Sequence, residues 1–352
     1  MSILNRSIRP VFPFSAIVGQ EELKLSLLLN AINSKIGGVL IRGAKGTGKS
    51  TAVRALVDLL PEIDVVKDCP FRCNPHDFTE ICEMCRSKIE NGEDLLVERR
   101  KMKLIDLPLG ATEDRVVGTL DIEKAIREGV KALEPGILVE ANQNVLYVDE
   151  INLLPDHIAD VILDSAASGW NIVEREGISV QHPSRFILVG TMNPEEGELR
   201  PQLLDRMALH VEVSSIFDRD QRIEIMERNI EFEKNPIDFR TRFQTEQVET
   251  IGRILKAKKI LPSIKVPHYL LDTIARMCIN LRVDGHRPDI VIVKSSETFA
   301  AYNARVEVAP QDVLTCSYLV LSHRTRSIGM EEPATMKQIE ESFITALNEA
   351  KR

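Results

Sequence analysis

The chain predicts an α/β fold, a parallel sheet packed between helices, with an all-helical domain behind it. Three features carry that expectation: short apolar runs that end at once in glycine or polar residues, amphipathic stretches between those runs, and the fading of the strand signal beyond Ile223. At 352 residues the chain exceeds one ordinary core and fits two domains, expected at 1–222 and 223–352.

Val39-Leu40-Ile41-Arg42 is the first expected strand, halted by Gly43, and Val145 to Val148 and Phe186 to Val189 are the second and third. All three are apolar on both faces, as strands covered on each side of a parallel sheet must be. Ligands of open α/β sheets gather beyond the carboxyl ends of the strands, so the segments after these runs are expected to meet at one edge. Pro61 to Asp106 is rich in charge, cysteine and turn residues and closes in Glu98-Arg99-Arg100-Lys101-Met102-Lys103. It is expected to be an insertion or a long excursion over the surface. Helices are expected over Arg222 to Glu233, Gln247 to Lys259, His268 to Leu281, Asp289 to Tyr302, Gln311 to Ser322 and Met336 to Ala350.

Composition narrows the roles open to such a chain. The 45 basic and 53 acidic residues are interspersed and leave a net charge of -8, which argues against a dedicated nucleic-acid binder. No apolar run of signal-peptide length follows Met1 to Arg6, and stretches such as Leu27-Leu28-Leu29 fall far short of the roughly 20 residues of a membrane span. A soluble, intracellular protein without a membrane span is expected.

Chemistry is concentrated in a few segments. Gly43-Ala44-Lys45-Gly46-Thr47-Gly48-Lys49-Ser50 has the phosphate-loop pattern, in which glycines let backbone N–H groups wrap a polyphosphate ahead of a helix N-terminus. With Thr51 opening the helix behind them, these are the expected nucleotide-binding residues. Lys49 is expected at the β- and γ-phosphates of ATP, and the Ser50 hydroxyl on Mg2+. A glycine-rich turn with an exposed lysine is the alternative.

The second strand closes in Asp149 and Glu150, adjacent carboxylates that divide work between metal and water in phosphoryl transfer. Asp149 is expected to hold Mg2+ through water, and Glu150 to polarise the attacking water as general base. Taken alone, such a pair is more often a solvated turn. After the third strand, Asn193 stands where an amide could orient that water, although asparagine before proline is also ordinary turn chemistry. Arg206 follows a short helical segment and is expected far from its own phosphate loop, within reach of a neighbouring subunit's nucleotide; an ion pair with Asp205 is the alternative.

Taken together, Ile17-Val18-Gly19-Gln20, the phosphate loop, Tyr147 to Leu154, Gly190 to Gly197 and Leu199 to Arg206 resemble the small AAA+ ATPase subunits of magnesium chelatase. Val283-Asp284-Gly285-His286-Arg287 and Leu321-Ser322-His323-Arg324 extend the resemblance over nearly the whole chain. It implies the AAA+ form of the fold, with Ile17 and Val18 lining an adenine pocket and Arg206 acting in trans as an arginine finger. Arg287 would be the second sensor arginine, with cis or trans action left open. It further implies insertions, here Leu104 to Leu120 and Gly169 to Pro183.

The implied activity is ATP hydrolysis in a homo-oligomeric ring, a hexamer by resemblance, that drives Mg2+ insertion into protoporphyrin IX for chlorophyll synthesis. The implied partners are a second AAA+ subunit with an integrin-type domain and a large porphyrin-binding subunit, with no nucleic acid. Because neither an integrin-type domain nor a proline-rich acidic linker ends the chain, the resemblance is to the small motor subunit. With no transit peptide before Ser2, the expected location is the cytoplasm of a cyanobacterial-type cell, or the stroma for a mature plastid form.

Two other readings compete. A chaperone or helicase-loading ATPase of a neighbouring branch is disfavoured by the length of the motif match. A non-hydrolysing scaffold predicts loss of Glu150 or Arg206, and both are present. Four of the six cysteines, Cys69, Cys73, Cys82 and Cys85, fall in one segment. One pair has zinc-knuckle spacing and the other a less usual three-residue gap, so bound zinc, reduced thiols and a thiol switch all stay open.

Overall fold

The computed structural model describes residues 10–120, 133–175, 178–324 and 334–351; Met1 to Arg6, on which the export expectation rests, lie outside them. The described strands are β1 (Val39–Gly43), β2 (Glu62–Val66), β3 (Val97–Lys101), β4 (Leu104–Leu107), β5 (Gly118–Leu120), β6 (Leu133–Pro135), β7 (Val145–Val148), β8 (Trp170–Arg175), β9 (Ile178–Pro183), β10 (Ile187–Met192) and β11 (Leu209–Val213). Five of them form one parallel sheet in the order β11-β1-β10-β7-β4.

The three strands expected from their apolar runs are β1, β10 and β7, which are neighbours at the middle of the sheet. Every residue of β7 and β10 is buried, the consequence of helices on both faces. Registers such as Val39↔Val189 and Ile187↔Val145 bring their carboxyl ends level, so the segments that follow meet at one edge.

The edge strands differ from expectation. Leu104 to Leu120 was expected to be an insertion, but its first four residues are β4, paired in parallel with β7. The rest does leave the sheet, as the short helix Glu113–Val117 and the β5–β6 pair. The excursion from Pro61 therefore ends before β4 and not at Asp106; it holds the β2–β3 ribbon and the helix Glu83–Glu90. Within the expected insertion from Gly169 to Pro183, β8 and β9 pair antiparallel as a ribbon outside the main sheet.

After β11 the described chain is helical, with helices at Arg219–Lys234, Pro236–Arg242, Gln244–Ile260, His268–Asn280, Arg287–Tyr302, Pro310–Leu321 and Met336–Ala350. Six of these match the expected positions to within a few residues. Pro236–Arg242 was not expected. It exists because Asn235 caps it through the Asp238 N–H, Pro236 fits its first turn, and Phe239 buries against neighbouring aromatic rings.

One hydrophobic cluster runs from Leu27 and Leu29 of the helix Glu21–Ile32, through Val39, Ile41 and Val189 of the sheet, to Ile254, Leu270, Ile292, Leu319 and Phe343 of the helices. The helical part is thus anchored on the same core as one face of the sheet. The other face has its own cluster, with Leu146, Leu188, Ile158 and Ile162. No described helix is long and apolar enough to cross a membrane.

Candidate functional site

β1 ends at Gly43, where a Cβ would stand 2.3 Å from the Val213 carbonyl oxygen of β11, so only glycine lets the two strands close. The loop then turns through Gly46 and Gly48, at φ +85° and +81°, with no atom within 4 Å of a Cβ built at either. The helix Lys49–Leu59 starts immediately. Successive backbone N–H groups and the positive helix end therefore face open space, an arrangement that favours a phosphate chain. Lys49 Nζ lies over the loop, donating to the carbonyls of Gly43 at 2.5 Å and Ala44 at 2.8 Å. Burial lowers its pKa, while Asp149, Glu196 and Glu150 pull it back up.

Ser50 and Asp149 are joined by one phenol. Tyr147 donates its hydroxyl to Asp149 Oδ1 at 2.8 Å, leaving its oxygen to accept from Ser50 Oγ at 2.9 Å. Thr191 Oγ1 donates to the same Asp149 oxygen at 2.5 Å. Burial pushes the Tyr147 phenol up to about 12, so it stays a donor at physiological pH. A hydroxyl and a carboxylate, oriented by neutral hydroxyls, form an all-oxygen donor set that suits Mg2+, which keeps most of its own water.

Glu150 follows in the left-handed region, at φ +53°, its N–H bonded to Thr191 Oγ1 at 3.2 Å. That conformation costs a non-glycine residue about 1–2 kcal/mol. The hydrogen bond holds it, and the turn keeps Glu150 on the cleft wall instead of continuing the strand. Asn193 is buried beyond β10, and its side-chain oxygen accepts from the Glu195 N–H at 3.3 Å.

Two clefts join here. The smaller, about 320 Å³, is lined by Lys45 to Thr51, Asp149, Glu150, Thr191, Met192, Asn193 and Glu196. The larger, about 860 Å³, is walled by Phe12, Ile17, Val18, Ile216, Ile223 and Met226, with Arg219 and Arg222 at its rim. Gly46, Thr47, Gly48 and Thr51 line both, and Gln20 ties the walls together by donating to the Thr47 carbonyl at 2.9 Å. An apolar slot running into a phosphate cradle is the shape a purine nucleotide needs.

Arg206 and Arg287 line neither cleft. Arg206 precedes β11 and so lies at the amino end of the sheet, roughly 15 Å along β1 from the phosphate loop. Its Nη1 is paired with Asp160 at 3.0 Å and Asp164 at 2.9 Å; Asp205, the alternative partner, faces Arg324 at 3.5 Å. Arg287 opens its helix at the same end. Its Nη2 donates to the Arg206 carbonyl at 2.6 Å and stands 3.8 Å from a Cβ built at Gly37. Burial, with Arg206 beside it, lowers the Arg287 pKa.

Tyr147, Thr191 and Glu196 were missed from sequence. Tyr147 stands two residues before Asp149 and Thr191 two before Asn193, so strand alternation turns each toward the same side as the residue already singled out. That signal was available. Glu196, on the turn after Pro194, had none.

The chain is similar to known proteins over most of its length. The family model for the magnesium chelatase subunit ChlI matches residues 122–201, and that for the AAA lid domain residues 271–343. A magnesium-chelatase subunit ChlI homolog of Methanocaldococcus jannaschii is 55% identical over 334 residues, 95% of this chain and 91% of the relative. Magnesium-chelatase subunit ChlI of Synechocystis sp. is 50% identical over 339 residues, covering 96% and 95%. Among solved structures, a cryo-EM-based complex of subunits BchI and BchD of magnesium chelatase contains a chain 45% identical to this one. The match has a TM-score of 0.54 and covers 95% of this chain and all of that one.

Proposed function

This chain belongs to the ChlI family of magnesium-chelatase subunits, AAA+ proteins, and from that premise we propose that it is the ATP-hydrolysing motor of such a chelatase. It works in a homo-oligomeric ring, a hexamer by the family resemblance, beside an integrin-domain AAA+ subunit of the BchD kind. The energy is delivered to a large subunit that holds protoporphyrin IX while Mg2+ is inserted. The location is the cytoplasm of a cyanobacterial-type cell, or the stroma for a mature plastid form.

One observation carries the reading. Lys49, Ser50, Asp149, Glu150 and Asn193 share one cleft, whereas Arg206 and Arg287 stand together at the opposite end of the sheet. A subunit so built has the nucleotide, metal and water residues of one active site and the transition-state arginines of another. Gly43 to Ser50 and Thr51 would hold the phosphates, Ile17 and Val18 the adenine, and Ser50 and Asp149 the Mg2+, which neutralises phosphate charge when bound. Glu150 accepts a proton from the attacking water, and Asn193 orients it. Arg206 from the next subunit stabilises the charge that develops on the γ-phosphate, and Arg287, bonded to the Arg206 backbone, acts in trans with it.

Reconstitution tests the reading. Mixed with the integrin-domain and porphyrin-binding subunits, protoporphyrin, Mg2+ and ATP, this chain is expected to be required for magnesium protoporphyrin formation. Product formed equally well without it would overturn the proposal.

A further inference from the structure

Among the described residues, Cys69, Cys73, Cys82 and Cys85 form a group of four side chains close enough to hold one metal ion. All four are buried and free, and their sulfurs lie within 4.8 Å of one another. Cys69 Sγ is 3.6 Å from Cys73 Sγ and 3.7 Å from Cys82 Sγ. A disulfide requires about 2.05 Å, so these pairs are unbonded. Four thiolates about 2.3 Å from one central ion stand about 3.8 Å apart along each tetrahedral edge. The Cys69–Cys73 and Cys69–Cys82 spacings match that figure.

The backbone is shaped for the same arrangement. Asp68 and Arg72 adopt φ of +62° and +53°, turning the chain sharply on either side of Cys69-Pro70-Phe71. Cys82 immediately precedes the helix Glu83–Glu90 and Cys85 lies in its first turn, so the two meet across one helix start. The Cys82 N–H points at Cys73 Sγ at 3.1 Å, the backbone-to-sulfur contact that stabilises a metal-bound thiolate.

The excursion from Glu62 to Lys101 also lacks any other centre. Apart from the four cysteines, its separate cluster contains only Val66 and Ile81, with Phe71 and Leu95 partly buried against it. So few apolar side chains offset little of the entropy of ordering the segment, and domains of this size usually need a metal or a crosslink. Burial of every sulfur also keeps them from the exposed environment that a thiol switch needs.

We propose that Cys69, Cys73, Cys82 and Cys85 bind one structural Zn2+ as a tetrahedral four-thiolate site. Its place in the molecule gives it a task. Asn142 and Gln143, just before β7, donate to the carbonyls of Phe71 and Arg72, each at 2.7 Å, and the Phe71 ring stacks on His182 of β9 at 5.1 Å. The ion thereby fixes a turn that braces the root of the strand carrying Asp149 and Glu150.

The test is elemental analysis of the full-length protein purified without chelators, where one zinc per chain is expected. A mercurial reagent should release that zinc. Replacement with Co2+ should give the intense visible bands of tetrahedral cobalt thiolate. Cys85→Ser is expected to lose the ion and to become protease-sensitive between residues 62 and 101. Absence of zinc from a folded, nucleotide-binding preparation would overturn the assignment. So would iron with sulfide in its place, or four thiols that react freely in the native chain.

Discussion

Arg287 donates from Nη2 to the main-chain oxygen of Arg206 at 2.6 Å, joining two arginines that are 81 residues apart in sequence. The bond fixes the backbone that presents the Arg206 side chain. Under the shared-site reading, Arg206→Ala lowers ATP turnover by about 10³- to 10⁵-fold while leaving nucleotide affinity nearly unchanged. Steady-state ATPase assays beside equilibrium nucleotide binding check this, and a large loss of affinity would contradict it.

Glu150→Gln removes the proposed proton acceptor and keeps the shape of the cleft. Turnover is expected to vanish with ATP still bound. Mixing this variant with Arg206→Ala is expected to restore part of the activity, because some interfaces then combine an intact Glu150 with an intact Arg206. Mixed preparations that stay inactive under conditions of subunit exchange would show that the two residues do not serve one site across an interface.

Tyr147 links Ser50 to Asp149 through a single hydroxyl. Tyr147→Phe deletes it and leaves the ring in the core. The Mg2+ concentration for half-maximal ATPase is expected to rise about 10- to 100-fold, the usual effect of losing a group that orients metal ligands. A magnesium titration at saturating ATP measures it, and an unshifted midpoint would remove Tyr147 from the proposed metal site.

Gly43 is a packing requirement as well as a loop residue. A methyl there meets the Val213 carbonyl at 2.3 Å, so Gly43→Ala must push β1 and β11 apart. Thermal unfolding is expected to show a loss of about 1–3 kcal/mol, the range for overpacking a tight core. A variant as stable as the parent would mean that the strands can separate freely.

His210 of β11 and His323 of the helical part are buried with ring centroids 5.0 Å apart. Burial, with Arg42 nearby, holds His210 down to about 4, and burial with His210 and Arg324 nearby holds His323 well below its usual value. An unfolded histidine titrates near 6.5, so below that pH the unfolded chain takes up protons that the folded chain refuses. Stability is therefore full above about pH 6.5 and falls as the pH drops toward 4, by up to about 1.4 kcal/mol per pH unit for each histidine. Urea unfolding between pH 7.5 and 5 should show this slope, and His210→Gln should flatten it.

Much of this architecture was legible in sequence because the physics is local. A phosphate cradle needs glycines at fixed spacing and a buried parallel strand needs an unbroken apolar run; the loop after β1 met the first condition, and β1, β7 and β10 met the second. β4 and β11 did not. As edge strands they carry Asp106 in one and His210 and Glu212 in the other, and those residues break the apolar run.

The site divided in the same way. Gly43 to Thr51, Asp149, Glu150 and Asn193 declared themselves by position in short motifs, and their convergence followed from adjacent parallel strands. The partners of Arg206 did not, because Asp160 and Asp164 lie more than 40 positions away and meet it only through the packing of the helix Asp156–Ser168. For the cysteines, spacing revealed a group but not its shape, which depends on left-handed turns at Asp68 and Arg72.

The carboxylates of Asp160 and Asp164 have a further consequence. In a lone chain they already quench the guanidinium of Arg206, so its positive charge is latched onto its own surface. Under the proposed shared site, handing it to an adjoining triphosphate exchanges one set of anions for another, and the difference between the two sets the energy left over. On that reading, nucleotide arrival next door unlatches a side chain here, and news of hydrolysis travels around the proposed ring as the relatching of this one arginine.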